Sequence, residues 1–182
     1  MIRGKKVSIR LFKEADMDEY LKCNAELAEI GEFWPIFLFP DNIMRQRFRD
    51  TGYWDTDKGG SMAIVDKDDK LIGQLNLFKG IHYTDGFEVG YRIFRPEDRG
   101  KGYMTEAVKM FVDYLFQLKP INRLQVCFDT GNLASKAVAE KCGFTIEGTL
   151  RGAVYHKGEF VDIHITSLLR NEWETQRQAN KK

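Results

Sequence analysis

The residues best suited to chemistry stand together at Arg99-Gly100-Lys101-Gly102-Tyr103-Met104-Thr105-Glu106. They fall between a run of strand character, Phe87 to Phe94, and a run of helix character, Tyr103 to Leu118. Glycines at a strand-to-helix turn let main-chain N–H groups approach a ligand with no Cβ in the way. The first turn of the helix adds unpaired N–H donors and the positive end of its dipole. Such a turn binds an anion, most often a phosphate. Arg99 and Lys101 add two mobile positive charges. The spacing excludes two nucleotide motifs. A Walker loop needs Gly-Lys followed by Ser or Thr, and Gly102 follows Lys101. A dinucleotide loop needs a third glycine where Thr105 stands. Taken alone, the stretch has a plain alternative as a solvated turn.

The surrounding elements follow from periodicity. Phe87 to Phe94 alternates, so Phe87, Val89, Tyr91 and Ile93 share one face, and Glu88, Gly90, Arg92 and Phe94 the other. A glycine inside a strand, here Gly90, marks a bulge or a close ligand approach. The helix from Tyr103 carries Met104, Ala107, Val108, Phe111, Val112 and Leu115 on one stripe. Leu124, Val126 and Phe128 form the next strand, parallel to the last because a crossover helix joins them. Asn132 caps a short helix that Gly143 stops. Upstream, Val7 to Leu11 reads as a strand, and a helix follows from Asp16, a capping residue, toward Leu27. Asp41 caps a second helix to about Arg49, with Ile43, Met44 and Phe48 spaced for burial. Ser61 to Val65 and Leu71 to Phe78 form an antiparallel hairpin around a polar turn. Phe144 to Leu150 and Phe160 to Leu168 are the last strands, turning at Lys157-Gly158, and the polar tail beyond Trp173 frays.

The stretch Gly31 to Pro40 holds Phe33, Trp34, Phe37 and Phe39. These aromatics either pack under the first helices or line a pocket for an acceptor group. At 182 residues the chain is one domain, over 1–174, with a polar tail over 175–182. A charge of +1 gives no bulk drive toward nucleic acid or an anionic membrane. No apolar run approaches the roughly 20 residues of a membrane span. The basic N-terminus lacks an apolar signal core. Three cysteines without metal-like spacing read as reduced thiols of a cytoplasmic protein. His82, His156 and His164 make no helical pair, so no metal site is expected.

The order strand, glycine loop, helix, strand, Asn-capped helix, Gly-Phe spans Phe87 to Phe144 and resembles the core of the GNAT superfamily of N-acetyltransferases. Arg99, Gly100 and Gly102 fit its pyrophosphate-loop pattern Arg/Gln-Gly-x-Gly-x-Gly/Ala, with Met104 in the place of the small last residue. Asn132-Leu133-Ala134-Ser135-Lys136, Glu140-Lys141-Cys142-Gly143-Phe144, Glu147-Gly148 with Arg151, and Ser167 to Trp173 are similar to the RimJ/RimL-like branch. The resemblance covers nearly the whole chain. It implies an α+β (mixed α/β) fold whose central, mostly antiparallel twisted sheet has one splayed parallel strand pair and flanking helices.

It also implies acetyl-CoA as cosubstrate in the splayed gap, and no metal. Arg92, Ile93 and Phe94 would meet its arm along the strand edge. Arg99, Gly100, Lys101, Gly102, Tyr103, Met104 and Thr105 would hold its pyrophosphate. Asn132, Ser135 and Lys136 would meet the pantetheine and the thioester end. The implied reaction is direct attack by an amine in a ternary complex, with a main-chain N–H near Ile93 or Phe94 holding the oxyanion. Glu88 is the candidate base, directly or through water, and Ser135 the candidate acid for the leaving thiolate. Ala139 stands where the wider superfamily often has a tyrosine acid. Trp34, Phe37 and Tyr155 are the candidate acceptor contacts. The acceptor is a protein N-terminus or a small-molecule amine, and a homodimer through exposed strand edges is open. Two other classes compete: an acyl-CoA-binding sensor without catalysis, and a nucleotide-binding regulator, which the missing Walker residues oppose.

Overall fold

The computed structural model describes residues 1–25, 30–35, 38–80 and 85–179. Its strands are β1 (Ile2–Arg3), β2 (Ser8–Arg10), β3 (Trp54–Asp55), β4 (Gly59–Val65), β5 (Leu71–Lys79), β6 (Phe87–Ile93), β7 (Arg123–Asp129), β8 (Thr145–His156) and β9 (Glu159–Leu169). The helices are α1 (Met17–Ala25), α2 (Asp41–Thr51), α3 (Tyr103–Leu118), α4 (Leu133–Lys141) and α5 (Arg170–Ala179). The class is the expected mixed α/β one. Strand pairing follows β1-β2-β4-β5-β6-β7-β9-β8, with β3 on β4. The pairs β1–β2, β2–β4, β3–β4, β4–β5, β7–β9 and β8–β9 are antiparallel, and β6 pairs with β7 in parallel. Among the described residues no helix is long and apolar enough to cross a membrane.

The chain divides into two compact units: Met1–Leu77 with Tyr91–Met110, and Phe78–Gly90 with Phe111–Lys182. In the first, Phe12, Met17, Tyr20, Leu21, Ala63, Val65, Leu71 and Phe94 form a buried cluster that Met44, Phe48 and Tyr53 cover. Asp16 does more than start a helix. Its carboxylate takes both terminal nitrogens of Arg10, at 2.6 and 2.9 Å, and the N–H of Lys13 at 2.7 Å. Arg10 also reaches Asp69 at 2.7 Å. The helix toward Leu27 is described only to Ala25, and Leu27 lies outside the described residues. Asp41 is the first residue of α2 and Pro40 its cap, without a side-chain bond. Ile43, expected to be buried, is 48% exposed, because Met44 and Phe48 face the cluster instead.

In the second unit β7 pairs along its whole length with β9, and β9 with β8. The end of α3 receives α5. The Trp173 ring stacks on Phe116 at 5.1 Å, and its Nε1 donates to Asp113 at 2.6 Å. That anchor keeps the chain beyond Trp173 helical to Ala179, against the expected fraying, because the first turn of α5 is held on the core. Glu147 on β8 accepts from Arg123 on β7 and from Ser167 on β9 at 2.6 Å. These bonds, Arg123's first, hold its carboxyl down at about 2. A depressed carboxyl stabilises the fold above its ordinary value near 4.5, and the contribution is lost as pH falls toward 2. Glu147→Gln is therefore expected to flatten the fall of unfolding free energy between pH 4.5 and 2. Urea titrations across that window check it, and parallel curves for both proteins refute it.

Candidate active site

The glycine loop lies in the first unit. Gly100 and Gly102 hold φ of 72° and 78°, the left-handed region where a Cβ is strained. A Cβ on Gly100 would meet nothing within 4 Å, so its outer side is open. Pro96 to Asp98 form one 3₁₀ turn before the loop. α3 begins directly after it, at Tyr103, so its first N–H groups face the loop end. A 430 Å³ cavity beside the loop is lined by Lys6, Asp66, Lys67, Asp68, Lys101 and Tyr103. The Nζ of Lys101 lies 5.7 Å from the Tyr103 ring and 3.3 Å from Asp98. Met104 turns into the core, 9% exposed, so its bulk stays out of the loop. Thr105 is half-buried in the first helical turn, and exposed Arg99 extends an Nη2 toward the carbonyl of Phe94 at 3.5 Å.

One residue of the loop acts at long range. The Glu106 carboxylate accepts the N–H groups of Lys5, Lys6 and Val7 at 2.7, 2.8 and 3.1 Å. It thereby straps the start of the chain onto α3. The strap also places Lys6, whose Nζ donates to the carbonyl of Lys101 at 2.8 Å. Lys6 becomes a third cation at the cavity, and no spacing rule links it to the loop.

On β6, the N–H of Phe94 donates to the carbonyl of Ile72 at 3.0 Å. It is occupied by β5, so Phe94 is not the oxyanion donor that its position suggested. Strand alternation turns the N–H of Ile93 to the opposite edge. The side chain of Arg92 is buried, 6% exposed, and lies on α1. Its Nη2 donates to the Cys23 carbonyl at 2.5 Å and its Nη1 to Asn24 Oδ1 at 3.3 Å. Its guanidinium carbon sits 5.4 Å from the Trp34 ring and 4.8 Å from that of Phe94. Burial lowers its pKa from the ordinary value. Trp34 is thus brought to the strand, whereas Phe37 lies outside the described residues.

The second unit holds the other candidates. The β6–β7 pairing spans Phe87↔Leu124 and Glu88↔Gln125, while the strands run on to Ile93 and Asp129. Glu88 is half-buried, and its Oε2 accepts from Gln125 Nε2 at 3.3 Å. Its other neighbour is the Cys127 thiol, which burial and then the Glu88 charge push up to about 12. Asn132 caps α4 as expected, its Oδ1 accepting the N–H of Ser135 at 2.9 Å. Ser135, the candidate acid, is buried at 9% exposure. Lys136 pairs loosely with Glu140 at 4.0 Å. Tyr155 stands near the β8–β9 turn, 65% exposed and edge-on to Phe160 at 5.2 Å.

Sequence reasoning passed over Gln74, Asn76 and Ser61. The Ser61 Oγ donates to Asn76 Oδ1 at 2.7 Å, and Gln74 Nε2 to the same oxygen at 3.3 Å. Gln74 and Asn76 are each 4% exposed. The signal was present: two amides alternate with Leu75 and Leu77 in an otherwise apolar strand. Among the described residues no group of acidic, histidine and cysteine side chains could hold a metal ion.

The family description "Acetyltransferase (GNAT) domain" matches residues 6–145. Over 173 residues the chain is 35% identical to a protein of Bacillus subtilis (strain 168) named "Putative ribosomal N-acetyltransferase YdaF", covering 92% of this chain and 93% of that one. Its structure resembles that of spermidine N-acetyltransferase from Vibrio cholerae in complex with CoA and spermine, with a TM-score of 0.80 at 17% identity over 94% of this chain and 99% of that one. It likewise resembles RimL, a ribosomal-protein alpha-N-acetyltransferase in complex with coenzyme A, with a TM-score of 0.80 at 17% identity over 93% and 97%. At those identities the two structures speak for the fold.

Proposed function

The chain belongs to the GNAT acetyltransferase family, an acetyl-CoA-dependent one, and from that premise we propose that it acetylates a primary amine, on a protein N-terminus or a small molecule, by direct transfer. One observation carries the reading: an open, left-handed glycine loop at the start of α3, beside a cavity with three lysines. Lys6, Lys67, Lys101 and the first N–H groups of α3 suit a diphosphate, and Gly100 leaves it room. The Arg92 side chain lies on α1, so β6 offers the pantetheine arm its main chain.

In the reaction the amine nitrogen bonds to the thioester carbon, the carbon–sulfur bond breaks, and the amine's proton must leave. Only a neutral amine attacks. An α-amino group near 7.7–8.0 is partly neutral already, while a lysine-like amine near 10.4 must shed its proton at about 4–5 kcal/mol. Glu88 is the group we assign to remove it. Ile93, whose N–H points to the strand edge opposite the Phe94–Ile72 bond, is the oxyanion donor in this reading, and such a donor is worth about 10²–10³ in rate. Ser135, fixed at the first turn of α4 by the Asn132 cap, would return a proton to the coenzyme sulfur. The Cys127 thiol, held near 12, stays protonated at neutral pH, which supports direct attack over an acyl-cysteine intermediate.

A thermal melt of the purified protein tests the cosubstrate site. Acetyl-CoA at about 100 times its Kd stabilises by about 2.7 kcal/mol, which is about 5–11 °C for a chain of this length. ATP and NADH should give no comparable shift. An equal shift with ATP, or none with acetyl-CoA, refutes the loop assignment. Turnover on an amine panel then separates an enzyme from a sensor.

A further inference from the structure

Arg92 is a buried cation whose described surroundings hold no anion. Its guanidinium donates to the Cys23 carbonyl and the Asn24 amide oxygen, both at the end of α1, and it touches the rings of Trp34 and Phe94. The charges that bear on it come from Cys23, Tyr20 and Arg99, and Arg99 opposes it. Its Nε has no hydrogen-bond partner. Helix carbonyls offset part of a positive charge, and a buried cation with only neutral partners remains costly.

A second orphan stands beside it. The Gly80–Gly86 and Phe94–Ile72 hydrogen bonds give β5 and β6 one antiparallel register, in which Gln74 lies across from Arg92. Gln74 also pairs with Ala63, a member of the cluster under α1, so both side chains belong to that face. The Nε2 of Gln74 goes to Asn76, and its Oε1 is buried with no partner. An unused cationic donor and an unused neutral acceptor thus sit on adjacent strands. Buried polar groups left unpaired in this way call for an explanation.

We propose that Arg92 and Gln74 form an acceptor subsite for an amine that carries a carboxylate or phosphate close to its nitrogen. The anion pairs with the Arg92 guanidinium, and an N–H of the acceptor donates to Gln74 Oε1. The Trp34 ring, 5.4 Å from the guanidinium carbon, borders the subsite. A polyamine, which brings only positive charge to this guanidinium, is rejected. The assignment rests on the amine-acetylating reading and narrows its substrate class.

The test is binding, so that it does not depend on turnover. N-acetyl-β-alanine and its primary amide are titrated into the full chain by calorimetry. A charge-assisted bond to a buried cation predicts that the acid binds about 10- to 100-fold more tightly than the amide. Arg92→Gln should bring that ratio to about one, and Arg92→Lys should restore part of it. An N-acetylated tetrapeptide with Asp or Asn second in its sequence forms the other arm, and distinguishes a free small acid from an acidic chain N-terminus. Discrimination in either arm upholds the subsite. Equal affinities of acid and amide in the wild-type chain, binding of neither, or a ratio that survives Arg92→Gln overturns it. The wild-type comparison stands even if the variants fail to fold. A missing acetyl-CoA melting shift would remove the transferase reading alone.

Discussion

Asp16→Ala is expected to lower the unfolding free energy by about 3–5 kcal/mol. The side chains of Arg10 and Asp16 are 5% and 8% exposed, and their contact is bidentate. Removing the carboxylate leaves a buried guanidinium whose remaining anion, Asp69, is 43% exposed. It also strips the N–H of Lys13 of its acceptor at the entry to α1. Domains are stable by only about 5–15 kcal/mol, so the loss shows as a large drop in the urea midpoint. Asp16→Asn keeps the shape and one hydrogen bond, and should fall between the two. A drop under about 1 kcal/mol for the alanine variant would mean that water or Asp69 replaces the partner.

Glu88→Gln is expected to reduce kcat/KM by about 10²–10⁴. Glutamine keeps the size and the contact with Gln125 but cannot take a proton. The variant can then use only the amine that is already neutral. Its rate should rise tenfold per pH unit up to the amine's own pKa, while the wild type rises less steeply at the acid end. The ratio of the two is therefore largest at low pH. Pre-steady-state or initial-rate profiles on any acceptor from the panel measure it, and identical profiles remove Glu88 from the role.

What could be read from the chain in advance was what depends on neighbours in sequence. The glycine loop, the α3 stripe, the Asn132 cap and the parallel step from β6 to β7 are all set by spacings of a few residues, or by one crossover. The rest depends on meetings that no local pattern encodes. Arg10 meets Asp69 across 59 positions. Glu106 meets Lys6 across 100. Each of these residues reads locally as an ordinary surface charge. The oxyanion assignment shows the same limit from another side. Alternation fixes that Ile93 and Phe94 point their N–H groups opposite ways, but only the partner strand decides which one is occupied. Asp41 and Ile43 were misplaced because a cap preference and a 3.6-residue stripe are weak where Pro40 starts the helix and the packing face is narrow. The alternating amides of β5 were legible and were passed over because buried polar residues are the exception in such strands.

The carboxylate of Glu106 makes three consecutive amides of the N-terminal segment one exchange unit. Lys5, Lys6 and Val7 open to solvent together, when the first turn of α3 lets go, and that turn is the one that follows the glycine loop. Protection of these amides thus reports on the loop from the far end of the chain. A truncation that begins at Val7 is therefore expected to loosen the glycine loop and the first turn of α3, although it touches no residue of the loop.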